Sequence, residues 1–87
     1  MCYEIARQMK SVMEAREREA SAALQRVPGI SSGPMGLTPD AVKASPEYRN
    51  AKADYEACRE ALRRFNAWFM REYASEYRAE RKARRAA

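Results

Sequence analysis

An 87-residue chain with 17 Lys and Arg, 12 Asp and Glu and no histidine makes at most one domain, and its core must be thin because small chains bury proportionally less surface. The missing histidine removes the commonest general base and metal ligand, and the two cysteines, Cys2 and Cys58, share no ligand spacing. These features argue against a catalytic or metal centre, while the net charge of +5 favours an anionic partner without demanding one.

The N-terminus, MCYEIARQMK, lacks the apolar run of a secretion signal. No segment approaches the roughly 18 apolar residues of a membrane span, and two cysteines far apart in a hairpin suit a reducing compartment. A cytoplasmic protein without membrane contact is therefore expected. From about Tyr3 to Val27, Ala6, Met9, Met13, Arg16, Ala20, Ala23 and Val27 recur at three and four, with Ile5, Val12 and Leu24 widening the face. That spacing predicts a first amphipathic helix over 3–27. Arg16 interrupts the seam, either as a snorkelling edge residue or as a buried polar group that fixes register.

Pro28-Gly29 ends this helix, and residues 28–37 read as a Gly/Pro loop. No Gly-Lys-Ser/Thr follows and no apolar strand precedes, which argues against a phosphate-binding loop. Ile30, Met35 and Leu37 are expected to fold back over the end of the hairpin. Thr38-Pro39-Asp40 is a capping signature for a short helix over 39–44, anchored by Val42. A kink should follow, because Pro46 disfavours the helical conformation at Ser45.

Ser45-Pro46-Glu47 then opens a long helix over 46–83, with a cap, a first-turn proline and an early acid. Tyr48, Ala51, Tyr55, Cys58, Leu62, Phe65 and Phe69 alternate at three and four, and Tyr73 and Tyr77 continue this aromatic seam. Unbroken, the helix would run about 58 Å. Antiparallel packing places Met1 near Tyr73 and leaves residues 74–87 as an overhang. The overhang holds Arg78, Arg81, Lys82, Arg84 and Arg85 against Glu76 and Glu80. Glu14 with Arg18, Glu60 with Arg64, and Glu80 with Arg84 stand at i and i+4 in the favourable order.

Two faces of the long helix lie off its seam. Arg64, Trp68, Arg71, Ser75, Arg78, Lys82 and Arg85 form a basic stripe at three and four. Such a stripe can track phosphates or meet an acidic protein, with Trp68 as anchor, and it also reads as an ordinary solvated face near a helix C-terminus. Ala53, Ala57 and Ala61, with Trp68, offer small residues against which another helix could approach closely, a candidate self-association surface; alanine is also simply the best helix former. No catalytic residue, cofactor site or metal ligand emerges, and two helices rarely enclose the concave pocket that catalysis uses.

The stretch Gly33–Phe65, reading GPMGLTPDAVKASPEYRNAKADYEACREALRRF, resembles small accessory proteins encoded by temperate phages and prophages. The resemblance implies a compact protein that binds a host machine, often one that handles or attacks nucleic acid, as inhibitors of CRISPR complexes and of recombination nucleases do. It assigns no functional residue. The expected fold is all-α: an antiparallel hairpin of two long helices with a short helix between them. A lone hairpin balances burial against entropy near zero, so pairing into a homodimeric four-helix bundle or coiled coil is expected. The expected function is that of a non-enzymatic inhibitor or adaptor docking on a host protein or nucleoprotein complex through Arg64, Trp68, Arg71, Arg78, Lys82 and Arg85. A sequence-nonspecific nucleic-acid binder using the basic tail, and a structural helical oligomer, are the alternatives.

Overall fold

The computed structural model describes residues 1–86. Three α-helices form, α1 (Tyr3–Gln25), α2 (Asp40–Lys43) and α3 (Pro46–Ala86), with a single 3-10 turn at Pro34–Gly36. α1 and α3 pack together as an all-helical hairpin. Among the described residues no helix is long and apolar enough to cross a membrane.

The α3 seam follows its spacing. Tyr48, Ala51, Tyr55, Cys58, Leu62, Phe65, Tyr73 and Tyr77 are half-buried and Phe69 is completely buried. The α1 seam is only partly covered. Ala6 and Val27 are buried and Met13, Ala20, Ala23 and Leu24 half-buried, but Ile5, Met9, Val12 and Arg16 are exposed. A single neighbouring helix covers one narrow stripe, so residues that widened the face in sequence lie outside it. Arg16 is thus an edge residue, beside Met13, Ala57 and Cys58.

The connection between the long helices is held by local bonds. Gly29 has φ +82, and a Cβ there would come within 2.7 Å of Val42 Cγ2. Only glycine allows this backbone to sit against Val42, which anchors the short helix as its position in the sequence suggested. Thr38 is not the cap of α2: its hydroxyl accepts the Ser31 N–H at 3.1 Å, and α2 has no side-chain cap. Ser45 does cap α3, its Oγ accepting the Tyr48 N–H at 3.3 Å and donating to the Val42 carbonyl at 2.6 Å. Of the three apolar loop residues, Ile30 is half-buried, whereas Met35 and Leu37 are exposed. The tight turn closed by Gly36 N–H to the Gly33 carbonyl and Gly33 N–H to the Leu37 carbonyl points them outward instead of over the hairpin.

α3 is not straight. Tyr73 leaves helical geometry at φ −131, ψ 23, and the longest dimension of the molecule is 48 Å, where 41 unbroken helical residues would span about 61 Å. The rings of Phe69 and Tyr77, eight residues apart, stand 5.6 Å from each other. A straight helix would separate those positions by about 12 Å along its axis. The expected overhang is therefore corrected: residues 74–86 turn back against α1, where Arg7 Nη1 donates to Glu80 Oε2 at 3.1 Å and the Lys10 ammonium lies 5.5 Å from the Tyr77 ring centroid. Met1 does reach Tyr73, whose hydroxyl donates to the Met1 carbonyl.

Candidate functional site, a cationic surface around the bend of α3

The bend is built on aromatic packing. Phe69 lies at its centre, with ring centroids of Tyr3, Phe65, Tyr73 and Tyr77 between 5.6 and 6.1 Å away. Trp68 belongs to the same cluster, 5.4 Å from Phe65 and edge-on to Tyr73 at 5.7 Å. It is half-buried, so part of its surface is already committed inside the molecule rather than free to anchor a partner.

Glu80 joins the segment after the bend to α1. Besides Arg7 it accepts from Arg84 Nη2 at 2.7 Å, and its side chain is 23% exposed. The pair Glu14 with Arg18 does not form; Glu14 takes Lys10 at 3.0 Å instead. Lys10 is covered by the returning segment and only 16% exposed, so its partly desolvated ammonium has more need of a carboxylate than solvated Arg18 does. Arg7, Lys10 and Glu80 were not legible as a group, because 73 residues separate Arg7 from Glu80 and no local pattern joins them.

Tyr3 sits under this network. Its hydroxyl is closed to solvent and makes no hydrogen bond; burial first, and the nearby Glu80 carboxylate second, hold its pKa above the ordinary 10.0. The native state therefore keeps this proton more tightly than the unfolded chain. Stability from this source is complete below the unfolded value and falls as pH rises from there toward the raised native pKa. Tyr3→Phe should remove that component of the alkaline loss and leave stability at neutral pH unchanged or higher, since the lost hydroxyl has no partner to orphan. Urea titrations at about pH 7 and about pH 10.5 would check this; a loss above about 1 kcal/mol at neutral pH would show that the hydroxyl contributes a real bond.

The basic stripe is interrupted by the bend and is uneven in its pairing. Arg64 Nε donates to Glu60 at 3.0 Å, beside a bidentate Arg63 at 2.9 and 2.7 Å. Hydrogen bonds from Arg63 and then Arg64 hold the Glu60 carboxyl at a pKa of about 2, so Arg64 is paired within its own helix, although it shares that one carboxylate with Arg63. Arg71, before the bend, and Arg78, Lys82 and Arg85, after it, are exposed and make no ion pair among the described residues. Arg81 leans over the Tyr77 ring at 5.8 Å.

The alanine face lies elsewhere. Ala53, Ala57 and Ala61 are exposed, and Ala57 lines an open groove of about 710 Å³ between α1 and α3, with Ala20, Ala23 and Ala51 at its floor and Arg16, Arg26, Glu19 and Asp54 at its rims. Cys58 also borders this groove, and both cysteines are free thiols. Among the described residues no three carboxylate or thiol side chains converge. Comparison with protein-family models, with curated proteins and with solved structures found no match to this chain.

Proposed function

We propose that this chain is a non-enzymatic binding protein, an inhibitor or adaptor of the phage type, which docks on a host protein or nucleoprotein complex through the cationic surface around the bend of α3. Four cations support this: Arg71, Arg78, Lys82 and Arg85 are exposed and have no carboxylate partner among the described residues, while Glu80, the half-buried acid of that segment, is held between Arg7 and Arg84. The acid braces the segment and the cations remain available. Exposed charges on a braced helix steer an anionic partner and set its orientation. Trp68, half-buried and packed on Phe65 and Tyr73 in the aromatic cluster, supports this segment of the helix.

The test is capture from bacterial lysate at about 0.1 M salt, where charges further apart than roughly 10 Å are screened, with and without nuclease. Wild type should retain a stoichiometric protein that survives nuclease. The variant R78E/K82E/R85E should lose it by tenfold or more, about 1.4 kcal/mol, with helicity by circular dichroism kept. Retention unchanged by charge reversal would remove this surface from the interface. Material lost on nuclease treatment would instead assign the same cations to nucleic acid, with binding that weakens steeply as salt rises.

A further inference from the structure

The chain exposes 6523 Å², whereas a compact monomer of its mass, 10.0 kDa, exposes about 5,200 Å². About 1,300 Å² therefore stays open that a globular chain of this size covers. Among the described residues only Ala6, Val27 and Phe69 form a buried apolar core. Part of the open area is one apolar row: on α1 Ile5 is 51% exposed, Met9 39% and Val12 52%, and Met1, which precedes the helix, is 67% exposed. Steps of four and three place Ile5, Met9 and Val12 on one helical face. Arg7, Lys10 and Glu14, which meet the returning segment of α3, lie on the other side of α1.

We infer that this row is the contact surface for a second copy of the chain. Its chemistry points to itself. The open groove along it is lined by Ile5, Met9, Val12 and Met13, with Gln8 and Arg16 as its polar members, so it offers an anionic partner little charge, whereas the same row on a second copy offers matching apolar surface. Antiparallel apposition of two α1 helices about a twofold axis between Gln8 and Met9 sets Ile5 of one copy against Val12 of the other. The four side chains expose roughly 400 Å², and with Gln8 and Met13 the contact extends toward the roughly 800 Å² per partner of a stable interface. This interface is distinct from the Ala53, Ala57, Ala61 and Trp68 face expected from sequence, and it leaves the cations beyond the bend open in both copies.

Light scattering and thermal melts of the full chain test the inference. Wild type should weigh twice 10.0 kDa, and its Tm should rise by about 3 to 5 °C for each tenfold increase in concentration. I5E/V12E should weigh as one chain at concentrations where wild type is dimeric. A single-chain mass for wild type with a concentration-independent Tm would overturn the proposal, as would a dimer that persists in I5E/V12E. Should that variant unfold, I5C/V12C in a background with Cys2→Ser and Cys58→Ser decides the matter. Positions 5 and 12 of one helix lie about 10 Å apart along the axis, too far for an internal disulfide, so oxidation should yield a covalent dimer. Its failure to form would exclude this register.

Discussion

Phe69→Ala is expected to cost about 3 to 5 kcal/mol, the range for deleting a buried aromatic ring. The whole stability of an 87-residue chain is on the order of 4 to 13 kcal/mol, so this one change removes a large fraction of it. Phe69 is the only large side chain completely buried among the described residues, and its ring touches Tyr3 of α1, Phe65 and Tyr73 on its own helix, and Tyr77 beyond the bend. Four aromatic rings thus lose a partner together. Phe69→Leu, which keeps most of the volume, should cost less than about 2 kcal/mol. Urea unfolding followed by circular dichroism would measure both; a loss under about 1 kcal/mol for the alanine variant would mean that the aromatic cluster is not the core.

Glu80→Lys is expected to open the molecule. In wild type the returning segment is held by the Glu80 pair with Arg7, by Lys10 against Tyr77 and by the Tyr77–Phe69 ring contact. An exposed ion pair contributes about 0 to 1 kcal/mol and the aromatic contact about 0.5 to 1.5. Against them stands a straight helix, which relieves the non-helical backbone at Tyr73 (φ −131, ψ 23), a cost of about 1 to 3 kcal/mol. With the two conformations this close, replacing an attraction by a repulsion at Arg7 and Arg84 decides the balance. Small-angle scattering should show the longest dimension growing from near the 48 Å of the bent form toward the roughly 61 Å of a straight one. Comparison at matched oligomeric state is required. An unchanged profile would show that Tyr77 alone holds the bend.

Much of the fold was legible because it depends on neighbours in sequence. The three-and-four spacing from Tyr48 to Tyr77 predicted the buried stripe of α3, and Ser45 with Pro46 predicted its start, since capping and φ restriction act within a few residues. Thr38 misled for the same reason: a hydroxyl placed to cap is equally able to accept a loop N–H, here that of Ser31. Of the candidate site, the residue types were legible and the pairing was not. Arg64 and Arg78 look alike in sequence; one is answered by Glu60, and the other has no partner among the described residues.

By itself the sequence determined an all-helical hairpin, its connection, the seam of α3 and the concentration of positive charge near the C-terminus, all consequences of helical periodicity and local backbone chemistry. Tertiary structure alone decided the bend at Tyr73, the return of residues 74–86 onto α1, and which half of the apolar face of α1 stays uncovered. Those outcomes turn on contacts between residues up to 73 positions apart. A helical pattern states which side chains share a face, but only packing in three dimensions states which faces meet.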